Sequence, residues 1–201
     1  MTGGEVFMAN HTDLGEAVKK ALGDAFLFEK IDIGSDAKLS AKGTTLETER
    51  YEIKGFGHLC ILHMRAMMGM MKMETAVLAS FEKELPLMNL DWVQAMGKET
   101  QIIEYYDDRA ADFDQTLLQS FKENGKGKTD AFNQKVAEAL DAFADRMKTA
   151  KTVDPKEKAD CIKRYAEGLL EADGPAVRQM KKLFGEETAR RLVCKHMYGI
   201  D

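Results

Sequence analysis

The chain has 201 residues, 44% of them hydrophobic and 31% charged, which is long enough for one domain with a sizeable core and ordinary for a globular protein. A formal net charge of -5 argues against a general nucleic-acid binder, which needs clustered Lys and Arg. No apolar run approaches the roughly 20 residues needed to span a bilayer, so membrane partners are not expected.

The first residues, "MTGGEVFMANHTDLGEAVKK", lack the apolar stretch of a secretory signal, and a cytoplasmic protein is expected. Residues 13–28, "DLGEAVKKALGDAFLF", carry apolar residues at helical spacing behind Asp13 as N-cap. From 44 to 107 the pattern shortens. "TTLETERYEIKGFG", "HLCILHMRAM", "MMKMETAVLAS" and "ETQIIEYYD" are runs of strand length bounded by Gly or charged turns.

The methionine-rich run "LHMRAMMGMMKMETAVL" (62–78) is compatible with a helix, a metal site or a strand pair. As a helix it would be apolar almost all round and would carry Gly69 at its middle, at about 1 kcal/mol relative to Ala. Two strands turning near Gly69 need no such penalty. On the second, Met71, Met73, Thr75 and Val77 face one way, and Lys72, Glu74 and Ala76 the other. Thioether and imidazole ligands suit copper or haem iron, but His58 and His63 are five apart and fall on opposite strand faces. Core or pocket lining is the better reading of these methionines.

After about residue 112 the pattern is helical. "TDAFNQKVAEALDAFADRM" sets Phe132, Val136, Leu140, Phe143 and Met147 on one stripe. "VDPKEKADCIKRYAEGLLEADG" has Asp154 as N-cap, Pro155 at the first helical position and Gly174 as a stop. Two shorter helices follow, broken at Gly185, and "KENGKGKTD" (122–130) reads as a loop. The expected fold class is α+β, with a mostly antiparallel sheet, one helix before it and several after. Cys60, Cys161 and Cys194 are odd in number and never form a CxxC pair, so each is expected to be a small hydrophobe rather than part of a disulfide framework.

No glycine-rich phosphate loop, GxGxxG, HExxH or GxSxG is present, so no nucleotide or flavin site is recognisable. Asp91, between Leu90 and Trp92, has few polar neighbours. Buried there, its pKa would rise and it could donate a proton near neutrality; alternatively it caps a turn after Pro86. Asp173, in "EADGP", reads as a loop residue at a helix end. Arg178, Lys181, Lys182, Arg190, Arg191 and Lys195 form either a solvated helix face or a docking patch for an acidic partner.

Two segments carry a resemblance. "DGPAVRQMKKLFGEETARRLVCKHMYGID" resembles the closing pattern of the ferredoxin-dependent bilin reductases, relatives of red chlorophyll catabolite reductase: a polar residue, an Arg-containing helix, an aromatic-Gly break and an Ala- and Arg-bearing helix. "METAVLASFEKELPLMNLDWV" is similar to their strand, loop and Leu-Pro-x-x-x-x-Asp element, with Leu85, Pro86 and Asp91 in register. The resemblance covers roughly residues 57–107 and 171–201. It implies a single three-layer α/β/α sandwich over 1–201, with a linear tetrapyrrole such as biliverdin between the sheet and the C-terminal helices. It also implies no bound organic cofactor, because reduced ferredoxin delivers electrons singly and carboxyl groups deliver protons. By position Asp91 is the central proton donor and Asp173 the second, with His63 and Glu74 as candidate helpers. Asn89 stands where the family usually has Gly, and Ser80 and Phe81 replace its aromatic-Pro. The alternative function is a non-catalytic bilin or haem carrier of the same fold.

Overall fold

The computed structural model describes residues 13–23, 25–125 and 129–200. It contains eight strands in one antiparallel sheet and five α-helices: an α+β fold. The strands are β1 (Phe28–Ile31), β2 (Lys38–Ala41), β3 (Thr44–Ile53), β4 (Gly57–Ala66), β5 (Met71–Ser80), β6 (Leu87–Ala95), β7 (Lys98–Tyr106) and β8 (Leu117–Asn124). β3 to β8 form a meander in sequence order, while β1 and β2 pair with opposite ends of the same edge of β3.

Helix α1 (Leu14–Leu22) starts where expected: the Asp13 side chain accepts from the Glu16 N–H, and Leu14, Val18 and Leu22 are buried one turn apart. It is shorter than the 13–28 pattern suggested, because Phe28 is drawn into β1 opposite Ile53. The methionine-rich run is a hairpin, as its alternation implies, with Arg65 opposite Lys72 and His63 opposite Glu74. Its tip places Met67 and Met68 at φ 53 and Gly69 at φ 87, a left-handed conformation that only glycine adopts without cost.

Two expectations fail. Leu117–Asn124 is an edge strand rather than part of the helical region; six of its eight side chains are exposed and two half-buried, and its backbone pairs with β7. Asp91 does not cap a turn after Pro86, since it sits in the middle of β6, paired on both sides. The loop expected at 122–130 begins only after β8 ends at Asn124, and residues 126–128 lie outside the described residues.

The helical half follows its signals: α2 (Thr129–Thr149), α3 (Pro155–Ala172), α4 (Pro175–Phe184) and α5 (Glu186–Arg191), continued by a π-helical turn at Leu192–Met197. Asp154 caps α3, accepting from the Lys156 and Glu157 N–H groups, with Pro155 in its first turn. Gly185, at φ 89, separates α4 from α5. One core cluster joins α1 and the α2 stripe to Leu59, Ile61, Ala76, Leu78, Leu90 and Trp92. A second joins α3, α4 and the π-turn to Cys60, Leu62, Val77, Ala79 and Leu87. Odd and even positions of each central strand thus part to opposite faces of the sheet. Cys60, Cys161 and Cys194 are all free, and the first two are buried. Among the described residues, no helix is long and apolar enough to cross a membrane.

One buried ion pair fastens α3 to the sheet. Lys158 Nζ donates to Asp108 Oδ1 at 2.6 Å and to the Leu85 carbonyl at 2.8 Å, with both charged side chains almost wholly buried.

Candidate functional site

Cross-strand register defines the site on the face that carries the C-terminal helices. One row runs Thr48, Leu62, Thr75, Asp91 and Ile102; the next runs Arg50, Cys60, Val77, Asn89 and Glu104. A third, toward the hairpin tip, is Leu46, Met64, Met73, Val93 and Thr100. Cys60 and Val77 are sealed beneath the helices, whereas Met64, Met73, Asp91, Val93, Ile102 and Glu104 are only partly buried. The result is a partly open, mainly apolar strip of sheet with carboxylates in it.

Asp91 is the centre of that strip. Its carboxyl is raised to about 6, chiefly by burial; the Thr75 hydroxyl, donating to Oδ1, opposes the rise and the Glu104 carboxylate adds to it. Glu104 in turn accepts from the Ser120 hydroxyl at 3.0 Å and from the Tyr106 hydroxyl. On the helical side Phe113, Tyr106, Tyr165 and Tyr198 form a contiguous aromatic group, with Tyr165 at 5.5 Å from Phe113, 5.3 Å from Tyr106 and 5.2 Å from Tyr198. Asn89 Nδ2 donates to the Tyr198 hydroxyl at 3.3 Å and so ties β6 to the helical cover. Ser80, at the strand end, donates to the Phe56 carbonyl and accepts from the Lys83 N–H, closing the turn after β5.

Several polar atoms near this row have no partner in the protein. Thr48 Oγ1, Arg50 Nε and Asn89 Oδ1 are buried atoms without a hydrogen bond, and all three residues share the face of Asp91. Buried polar groups rarely stay unpaired in a folded protein. A flat ligand carrying N–H, carbonyl and carboxylate groups has the chemistry to satisfy them.

A cavity of about 600 Å³ opens on the same face at the β3 end, lined in part by Arg50, His58, Phe81, Asp36, Arg191 and His196. Asp91 lies outside it. Here Asp36 is held by Arg191 through two N–H bonds and by His196 Nε2 at 2.8 Å, which keeps its carboxyl down at about 2; the Arg191 hydrogen bond is the larger cause. His58 Nε2 donates to the His196 carbonyl at 2.7 Å, and burial lowers this imidazole to about 4, so it is neutral at physiological pH.

The remaining candidates do not converge on Asp91. His63 and Glu74 lie on the opposite face, toward α1, because strand alternation separates Glu74 from Thr75 and His63 from Leu62. Glu74 is buried there and accepts from the Leu14 N–H at 2.6 Å and the Gly15 N–H at 3.4 Å. Neither can assist a reaction at Asp91 from across the sheet. Asp173 is the left-handed C-cap of α3, at φ 47, and pairs with Lys181 at 3.0 Å. It is a helix-end residue in an ion pair rather than an acid in an apolar cleft. Thr75 and Glu104 were missed from the sequence, although the alternation that puts Thr75 beside Met71 and Met73 was a signal for the first.

Half of the expected docking patch is paired within the chain. Lys181 pairs with Asp173 and Glu186, Arg190 with Glu167, and Arg191 with Asp36. Arg178 and Lys182 are exposed.

The architecture is shared with a protein of known structure. Among solved structures it matches phytochromobilin synthase from tomato in complex with biliverdin, with a TM-score of 0.70 and 12% sequence identity, over 92% of this chain and 81% of that one. No family model and no curated protein matches the sequence.

Proposed function

We propose that the protein reduces a linear tetrapyrrole of the biliverdin type, with Asp91 as the proton donor. The carrying observation is a carboxyl pushed up to about 6 on a half-open apolar sheet face. A neutral acid there can protonate a substrate radical anion that bulk water does not reach. Each double bond reduced takes two electrons and two protons. The chain has no recognisable nucleotide or flavin motif, so the electrons are assigned to reduced ferredoxin, arriving one at a time. Docking is assigned to the exposed part of the basic patch, around Arg178 and Lys182.

In this reading residues 1–201 are one three-layer domain. The pigment lies on the strip of Met64, Met73, Val93 and Ile102, with the aromatic group of Tyr106, Tyr165 and Tyr198 at its border. Methionine thioethers suit an extended π-system because they are polarisable and adaptable. Thr75 positions the Asp91 carboxyl, and Glu104 keeps its proton affinity high. Asp173 is the second donor only if it leaves Lys181, so the second proton is assigned to the Asp91–Glu104 side, by re-protonation of Asp91 between electrons. Support comes from the shared fold and from the unpartnered polar atoms of Thr48, Arg50 and Asn89.

The deciding experiment is an anaerobic incubation with biliverdin, ferredoxin and a reducing system, followed by visible absorption. Loss of the biliverdin bands is expected, and Asp91→Asn should slow it at least about 100-fold while the pigment still binds. Binding without electron-driven change would make the protein a tetrapyrrole carrier. Absence of any spectral shift on titration would end the pigment reading.

A further inference from the structure

His63 and Glu74, displaced from the Asp91 face, meet a third ligand-bearing residue on their own side of the sheet. They are directly opposite each other on the adjacent central strands β4 and β5. Asp13, the N-cap of the nine-residue helix α1, comes down over them. One ligand atom from each of Asp13, His63 and Glu74 falls within 4.8 Å of the others. We infer that these three side chains bind a divalent transition-metal ion, with zinc as the expected occupant, and that the ion fastens the start of α1 to the β4–β5 pair.

The geometry is fixed from both sides. Glu74 Oε1 accepts from the Leu14 and Gly15 N–H groups, and Asp13 Oδ1 accepts from the Glu16 N–H at 2.8 Å. Both carboxylates are thereby oriented. A carboxylate has lone pairs for more than one partner, so helix N–H groups and a cation can share it. The helix N-terminus supplies only about half a positive charge against two full negative ones. The imidazole of His63 adds a nitrogen ligand beside them.

One imidazole nitrogen with two carboxylate oxygens is a three-ligand zinc set, leaving a position for water. Calcium and magnesium fit less well, since they require six or more oxygens or near-ideal octahedral geometry. One rival source of positive charge is Lys72, which shares the Glu74 face two residues away, with Arg65 opposite it. Were that ammonium the true partner, a metal would gain little.

The test uses the full chain after chelator treatment and dialysis, titrated with zinc chloride by calorimetry and with cobalt(II) chloride by visible absorption. Binding of one ion per chain, a cobalt ligand-field band and a melting temperature that rises with zinc are expected. His63→Ala should weaken binding at least about tenfold and remove the cobalt band, while leaving the metal-free melting temperature close to the parent's. Glu74→Gln keeps an oxygen to accept from α1 but removes the charge, and should lose the metal without unfolding. Silent titrations at millimolar metal, or a His63→Ala protein that titrates like the parent, would overturn the site. Neither result bears on Asp91, which lies across the sheet.

Discussion

The Thr75 hydroxyl donates to Asp91 Oδ1 between directly paired residues of β5 and β6. A donor to a carboxylate favours the ionised form, so this contact opposes the burial that raises the Asp91 pKa. Thr75→Val removes the donor and keeps the shape. The Asp91 pKa should climb above about 6, and the alkaline limb of any pH–rate profile should move the same way. Infrared titration of the carboxyl band checks this directly; a downward or absent shift would show that the hydroxyl does not set the pKa.

The same acid gives a stability signature. A carboxyl raised from 3.8 to about 6 on folding is favourable to the native state below the lower value, and that benefit is lost as pH rises through about 6. Asp91→Asn abolishes the titration. The variant should therefore be more stable than the parent at pH 8, by at most about 3 kcal/mol, with the difference shrinking toward pH 4. Urea unfolding at several pH values measures it.

The opposite sign is expected at Asp36. Its carboxyl is held at about 2 in the folded chain, chiefly by Arg191 and then by His196. That stabilisation is present above the ordinary carboxylate value near 4 and is lost as pH falls toward 2. Asp36→Asn should cost about 2 kcal/mol at neutral pH and almost nothing at pH 2, flattening the acid limb of the unfolding curve.

Lys158→Met tests the buried ion pair. It leaves Asp108 without its cation in a place with almost no solvent, and should cost about 3–5 kcal/mol. Lys158→Met with Asp108→Leu removes both charges and should recover most of that loss. A single variant as stable as the parent would show that water reaches Asp108.

Much of this architecture was legible from residue patterns. Alternation gave β3 to β5 and β7, and apolar spacing with Asp154, Pro155 and Gly185 gave the helices. β8 was not legible because an edge strand with exposed Leu117 and Leu118 shows no buried periodicity, and four-residue β1 and β2 are too short to carry any. Asp91 was found through its apolar neighbours and the Leu-Pro motif. Glu104 was not, since its place beside Asp91 depends on how β6 and β7 register. The alternation already implied that Glu74 and Thr75 point apart; treating Glu74 as a helper of Asp91 ignored it.

Trp92, the only tryptophan of the chain, follows Asp91 on β6 and is packed on the α1–α2 side, one strand thickness from the open strip. Its emission is thus an internal lamp, shielded from direct contact with anything on the Asp91 face yet close enough to transfer excitation to a coloured guest there. Dimming of that light on adding biliverdin would register occupancy in the unlabelled protein.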